Sequence, residues 1–358
     1  MSKSLLVTGA AGFIGANFVH YWARAYPEDK VVAYDALTYA GNLASLDALQ
    51  GNPNFSFVHA DICDYDRVLH TLREHSVDTL VHFAAESHVD RSITGPDAFI
   101  ETNVVGTHSL LKAAREVWLG GDAVVPHRFH HVSTDEVYGS LSADAPGFHE
   151  QQKYEPNSPY SASKAASDHL VRAYLHTYGL QVSTSNCSNN YGPYHFPEKL
   201  IPLCITNILR GLPLPVYGDG SNIRDWLYVE DHCRGIDLVL QRGAVGETYN
   251  IGGNNEWNNL DIVHLLCDQM DARCAVDPSL AERFPAAPGA NGGRARDLVT
   301  FVEDRAGHDW RYAIDAGKIM GELGYTPRES FETGLQRTLD WFLSNQQWWE
   351  PLLIRDQV

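Results

Sequence analysis

Ser4-Leu5-Leu6-Val7-Thr8-Gly9-Ala10-Ala11-Gly12-Phe13-Ile14-Gly15 decides the fold of this chain. A short apolar strand, Ser4–Thr8, runs into a glycine-punctuated turn and then into a helix from about Gly12 to Ala25. Glycines allow a tight turn and the close approach of backbone to a pyrophosphate, whose charge a helix N-terminus meets. A second strand, Lys30–Tyr34, is closed by Asp35, some 20 residues after Gly15. An acid in that place suits a ribose hydroxyl. No basic residue lies beside it to take a 2′-phosphate, so NAD is expected rather than NADP. Gly9, Gly12, Phe13, Ile14, Gly15 and Asp35 are the first expected cofactor contacts.

Working outward, Phe55–His59 reads as a third strand and Thr79–Phe83 as a fourth, after a helix rich in Arg, Leu and His. One long helix, about Ala98 to Trp118, leads to a strand at Phe129–Val132. Alternation of this kind, with apolar strands, predicts a parallel sheet covered on both faces. After about Tyr191 the pattern turns to Pro- and Gly-punctuated segments: Gly192-Pro193, Leu212-Pro213-Leu214-Pro215 and Pro285 to Gly293. These read as a smaller, loop-rich lobe. Arg224–Val229 and Glu247–Ile251 look like returns to a sheet. The expected class is therefore α/β, a Rossmann-type doubly wound parallel sheet with a smaller, interleaved C-terminal substrate-binding lobe. Residues 1–190, with a return segment at 225–251, would form the NAD-binding domain, and 191–358 mainly the second lobe.

A chain of 358 residues suits a two-lobed enzyme, and 44% hydrophobic with 20% charged residues is ordinary for a soluble protein. The 45 acidic against 27 basic residues give a net charge of -18, which argues against a nucleic-acid or anionic-membrane partner. A phosphate-ester substrate would need a few locally placed Arg and Lys residues. The first residues lead straight into a strand, and no apolar run approaches the ~18 residues of a spanning helix. A cytoplasmic location is expected. The six cysteines include no Cys-x-x-Cys pair and are expected reduced. His127, His130 and His131 flank or enter a strand without zinc-like spacing, so no metal is expected.

The chemistry is concentrated in Ser133-Thr134-Asp135-Glu136-Val137-Tyr138-Gly139-Ser140 and in Tyr160-Ser161-Ala162-Ser163-Lys164. The first stretch puts a hydroxyl and two carboxylates at the carboxyl end of a strand, where open α/β sheets bind ligands. The second opens a helix with Tyr160 and Lys164 one turn apart. A phenol beside an ammonium, near the Thr134 hydroxyl, can remove a proton from an alcohol. Asp135 and Glu136 are more than alcohol oxidation needs, unless they are a solvated surface pair. The plainer alternatives are that Arg224 pairs with Asp225 or Glu230 and that Lys199 lies on the surface; Trp348-Trp349 is expected to serve packing or a dimer contact.

Gly-x-x-Gly-x-x-Gly spacing together with Tyr-x-x-x-Lys resembles the extended short-chain dehydrogenase/reductase family. Within it, Leu37-Thr38-Tyr39-Ala40-Gly41-Asn42, Ala84-Ala85-Glu86-Ser87-His88-Val89-Asp90-Arg91-Ser92, Ser133-Thr134-Asp135-Glu136 and His195-Phe196-Pro197-Glu198-Lys199-Leu200-Ile201-Pro202 resemble the bacterial dTDP-glucose 4,6-dehydratases. The likeness runs from about residue 4 to Trp341. It implies a sugar-nucleotide-binding second lobe and a homodimer built on helices, including the one that starts at Tyr160. It implies that Leu37, Thr38, Thr102, Tyr160, Lys164 and Asn190 join the NAD site. Asp61 and Ile62 would meet the adenine, and Ala84, Ala85 and Ser87 the pyrophosphate side. Ser87, Thr134, Asn189, Lys199, Leu200, Pro215, Tyr217, Arg224 and Asn259 would bind dTDP-glucose, as would Asp304, Arg305 and His308. One departure is Ala306, where the family has proline within Asp-Arg-Pro-Gly-His; the loop before it, Pro285 to Arg296, is rich in Gly and Ala.

The reaction this resemblance implies is loss of water across C5–C6 of a hexose. Tyr160, supported by Lys164 and Thr134, would serve oxidation at C4. Glu136 would then act as base at C5, and Asp135 as acid at the C6 hydroxyl. A 4-epimerase on the same fold and a non-catalytic NAD-sensing module remain the alternatives. Epimerisation needs no elimination acid or base, and sensing modules tend to lose the tyrosine and lysine.

Overall fold

Residues 2–121, 125–304 and 308–355 are described by the computed structural model. Strands β1 (Ser4–Thr8), β2 (Lys30–Asp35), β3 (Phe55–His59), β4 (Thr79–His82), β5 (Arg128–Thr134) and β6 (Val182–Cys187) lie parallel in one sheet. They are followed by β7 (Asn189–Tyr191), β8 (Leu214–Tyr217), β9 (Ile223–Tyr228), β10 (Thr248–Ile251), β11 (Glu256–Asn258) and β12 (Val299–Val302). The large sheet has seven strands in the order β10-β6-β5-β4-β1-β2-β3. Chain order reverses between β1 and β4, and a cleft opens there at the carboxyl ends.

Side chains of β1 alternate between two cores, as the period of a strand requires. Leu5 and Val7 pack with Phe18, Val19 and Trp22 of α1 (Phe13–Ala25), while Leu6 faces the opposite side of the sheet. That side is covered by α2 (Tyr65–Glu74), and, after α3 (Val89–Thr94) and the single turn α4 (Asp97–Phe99), by α5 (Thr107–Leu119) and α6 (Pro159–Tyr178). Both faces of the sheet are thus dry, which explains why its strands read as continuous apolar runs.

Three sequence expectations need correction. Thr248–Ile251 joins the large sheet beside β6, but β9 pairs instead with β7 and β11 in a three-stranded sheet of its own. The single helix expected over about 98–118 is interrupted by a π-helical stretch, Ile100–Gly106. A widened turn leaves the Asn103 carbonyl to accept from the Thr107 hydroxyl at 2.6 Å and the Ser167 hydroxyl at 2.5 Å. The second lobe is also less loop-like than its prolines and glycines suggest. Its core is helical, built from α7 (Leu200–Arg210), from α9 (Asn259–Val276) and from Phe331–Ser344, with α8 (Val229–Arg242) packing beneath the large sheet. Trp348 and Trp349 are buried in that core. Among the described residues no helix is long and apolar enough to cross a membrane, and the six cysteines are free.

Candidate active site

A cavity of about 610 Å³ opens over the carboxyl ends of β1, β4, β5 and β6 and is closed on its far side by the second lobe. Its floor at one end is the glycine turn. Gly9 has φ +66°, and a Cβ there would lie 2.7 Å from the Ala84 nitrogen. At Gly15 a Cβ would lie 2.1 Å from the Gly9 carbonyl oxygen. Gly12 caps α1 without any side-chain acceptor, so the first-turn amides are available to an anion. At the end of β2, buried Asp35 accepts from the Ala11 amide at 2.9 Å and from the Leu37 amide at 2.7 Å. Burial raises its pKa against those two bonds.

Phe13, Ile14, Thr38, Asp61, Ile62, Ala84, Ala85, Ser87, Thr102 and Asn190 line the same end. Leu37 does not. Its backbone is left-handed, φ +52°, and its part is to hold Asp35 in place. A cradle that admits no Cβ, an open helix N-terminus and an acid closing the second strand together fit a dinucleotide. Among the described residues, the cavity's Lys and Arg are Lys164, Lys199 and Arg224, none of which neighbours Asp35 in the chain.

At the other end stand the residues of β5 and α6. Ser158 caps α6 through a reciprocal pair with Ser161, and Pro159 occupies the first turn, so Tyr160 is fixed at the helix entrance. Tyr160 and Lys164 are buried, and the Lys164 ammonium donates to the Val132 carbonyl at 2.8 Å. Burial pushes the Tyr160 phenol well above its ordinary range, and Glu136 adds to this, while a hydrogen bond with Thr134 opposes it. Burial lowers Lys164, opposed chiefly by the charge of Asp168.

β5 ends at Thr134, whose hydroxyl accepts from the Glu136 amide at 3.3 Å and so caps the short 3₁₀ turn Asp135–Tyr138. The turn leaves the two acids unequally exposed in the same cavity. Asp135 is 1% exposed, whereas Glu136 is partly open to the cavity. Burial holds the Asp135 carboxyl well above the usual carboxylate range, Glu136 and Asp225 reinforce this, and Arg224 works against it. These are not a solvated surface pair.

Lys199, Leu200, Pro215, Tyr217, Arg224, Asn189, Asn259 and His308 line the second-lobe wall. Lys199 donates to the Ser87 carbonyl at 3.0 Å, so it ties the wall to the loop after β4. Arg224 is buried; its guanidinium donates to the carbonyls of Ile223, Asp309 and Trp310 and lies over the Tyr312 ring. Asp225, an imagined partner for it, accepts from the amides of Gly253 and Asn255. Asp304 is exposed and bonded to His308 at 2.6 Å rather than lining the wall. Arg305 and Ala306 lie outside the described residues.

Sequence reasoning passed over Cys187, His195, Glu198 and Tyr312, all of which line the cavity. His195 and Glu198 stand within a motif already quoted, so a signal was present. His195 stacks on Phe13 at 4.2 Å and covers the glycine turn. Nothing local marks Cys187 or Tyr312.

Residues 6–338 match the family model described as GDP-mannose 4,6 dehydratase. The chain is 54% identical to the dTDP-glucose 4,6-dehydratase of Salmonella typhimurium over 354 residues, 96% of this chain and 94% of the relative. It belongs to the dTDP-glucose 4,6-dehydratase family. Another member, from Neisseria meningitidis, is 52% identical over 353 residues, with 98% and 96% covered. DesIV, a dTDP-glucose 4,6-dehydratase of Streptomyces venezuelae solved with NAD and dTDP bound, superposes with a TM-score of 0.86 at 49% identity, covering 98% of this chain and 100% of DesIV. The Rossmann-type sheet and its appended lobe are therefore the dehydratase family's own architecture.

Proposed function

We propose that this chain is an NAD-dependent dTDP-glucose 4,6-dehydratase, a hydro-lyase that makes dTDP-4-keto-6-deoxyglucose for deoxysugar biosynthesis. One observation carries the reading: a buried Asp135, whose carboxyl burial pushes toward its protonated form, beside the more open Glu136, in the cavity that holds Tyr160 and Lys164. Alcohol oxidation or epimerisation alone has no use for a second acid and base. The names of the relatives and the ligands of DesIV support the same reading.

The glycine turn, Asp35, Asp61 and Ile62 would hold the cofactor, and the second-lobe wall would hold the sugar nucleotide. Residues 1–190, with a return limited to α8 and β10, would be the NAD-binding part, the remainder of 191–358 mainly the substrate part, and the active form a homodimer. Bound NAD would supply a hydride acceptor at C4, a hydride donor at C6, and a positive ring charge that favours phenolate at Tyr160.

Tyr160 takes the proton of the C4 hydroxyl, with Thr134 hydrogen-bonded to the C4 oxygen and the Lys164 charge nearby. Because burial raises the phenol, these partners have to overcome that bias. Once C4 is a ketone, the C5 proton becomes acidic, since the carbanion left behind is an enolate. Glu136 removes it. Asp135, whose burial favours the protonated carboxyl, gives a proton to the departing C6 hydroxyl, and water leaves. The two adjacent carboxyls divide the work because their environments differ. Glu136 returns a proton to C5, and the proton taken by Tyr160 balances the one lost from Asp135.

Incubation with dTDP-glucose and detection of an alkali-absorbing keto sugar lighter by one water tests the proposal. A 4-epimer as product, or no turnover, would refute it.

A further inference from the structure

We propose that Asp168 is a positioning residue for this reaction: its buried carboxylate is the counter-charge that keeps Lys164 an ammonium beside Tyr160. The proposal rests on the role given to Tyr160 and Lys164 above.

Tyr160, Lys164 and Asp168 follow one another at single-turn spacing on α6 and form one stripe on its inner face. They are 9%, 4% and 6% exposed, so water solvates none of the three appreciably. The hydrogen bond from Lys164 goes to a neutral carbonyl, that of Val132. A buried ammonium held by neutral groups tends to lose its proton, and a nearby anion reverses the tendency.

Asp168 is built to remain that anion. His131 and Ser133, two apart on β5, face α6 together. The His131 Nε2 lies 3.0 Å from one carboxylate oxygen, and the Ser133 hydroxyl donates to the other at 2.9 Å. Tyr154 adds a further hydrogen bond. Burial pushes His131 well below its usual pKa, so this imidazole is neutral and donates an N–H without cancelling the carboxylate's charge. The ionisable and polar groups around Asp168 are Lys164 and His169 from α6, His131 and Ser133 from β5, Tyr138 from the turn after β5, and Tyr154 from the segment before α6. Lys164 is the leading cation among them. Burial lifts the Asp168 carboxyl to about 6, and Lys164 opposes that rise, so it is ionised at neutral pH.

The test is a pH titration of the Lys164 amine by NMR in ¹⁵N-lysine-labelled full-length protein, with Lys164→Met identifying the signal. Asp168→Asn should lower the midpoint of amine deprotonation by about 1 unit or more, and Asp168→Glu should leave it near the wild-type value. With dTDP-glucose, the alkaline limb of kcat should move to lower pH in Asp168→Asn while KM stays within about 2-fold. A merely structural role would lower activity equally at every pH. Wild-type protein supplies a second measurement if Asp168→Asn does not fold: the Lys164 signal should shift again near pH 6, where Asp168 takes its proton. An unchanged midpoint in Asp168→Asn, or no second inflection in the wild type, overturns the proposal. The amine titration needs no substrate, so an inactive wild type would sink the dehydratase reading and leave this result readable.

Discussion

The Lys164 ammonium donates to the Val132 carbonyl at 2.8 Å, so the lysine of the Tyr-x-x-x-Lys pair is fastened to the strand that leads into the acids. β5 and α6 are thereby joined through a charged group inside the cavity. Lys164→Met should leave that carbonyl without its partner and Asp168 without its main cation. Activity should fall by about 10²–10⁴-fold, the usual worth of assisted proton transfer, and Tm should fall as well. Loss of Tm with normal kcat would make Lys164 a structural residue only.

Tyr160→Phe removes one hydroxyl, bonded to Thr134, and keeps the ring that packs edge-on to Phe99. The fold should persist, with Tm changed by no more than a few degrees, while oxidation at C4 is lost. Turnover of dTDP-glucose and circular dichroism measure the two effects separately. Near-normal turnover would mean that another group takes the C4 proton.

Most of the cleft was legible because its parts are local. Three glycines around a strand end, an acid closing the next strand and a Tyr/Lys pair one turn apart are each set by a few consecutive residues. What escaped depends on distant partners. Ile223–Tyr228 has the apolar character of a sheet strand, but nothing in it says that it pairs with Asn189–Tyr191 and Glu256–Asn258 rather than with the large sheet. The π turn at Ile100–Gly106 keeps the composition of a helix, and only the Ser167 hydroxyl, 64 residues on, reveals where its spare carbonyl goes. Asp168 likewise reads as one acid on a helix until β5 is laid beside it.

The glycines differ in how much they tolerate. A Cβ at Gly15 would meet the Gly9 carbonyl oxygen at 2.1 Å and the Ala10 Cα at 3.0 Å, both backbone, whereas at Gly12 the nearest atom is the Gly9 carbonyl oxygen at 3.2 Å. Gly15→Ala should therefore cost about 1–3 kcal/mol and abolish copurification of NAD, and Gly12→Ala should be milder in both respects. Differential scanning calorimetry and the nucleotide content of the purified protein give the ranking. Reversal of the order would mean that the turn is held by the ligand rather than by its own packing.

Asp135 links the site to stability. Its folded pKa is raised, chiefly by burial, so above the ordinary aspartate value of ~3.9 the folded state holds a proton that the unfolded state has released. The sign follows: this residue's contribution to stability falls as pH rises from that value. Asp135→Asn removes the dependence. Its Tm advantage over wild type should widen as pH rises above about 4, reaching on the order of 2 °C. A difference that stays flat with pH would show that Asp135 is not held protonated, and its assignment as the acid would go with it.

Asp135 and Glu136 also permit the sharpest separation of steps. Oxidation at C4 depends on Tyr160, Lys164 and Thr134, and elimination depends on the two carboxyls. Asp135→Asn with Glu136→Gln keeps volume and hydrogen-bonding shape but abolishes proton exchange. The double variant should still oxidise C4 and then stop, holding a 4-keto hexose that retains its C6 hydroxyl, with the absorbance of reduced nicotinamide persisting on the enzyme. The single variants should differ. Without Glu136 there is no base at C5, so solvent deuterium should enter C5 slowly. Without the Asp135 acid, C5 exchange should continue while water departs slowly, because the enolate forms but its leaving group is not protonated. Mass spectrometry of quenched reactions in deuterium oxide reads both outcomes. Complete dehydration by the double variant would show that neither carboxyl takes part. Equal C5 exchange in the two single variants would leave elimination intact as a reaction but remove the division of labour drawn from their unequal burial.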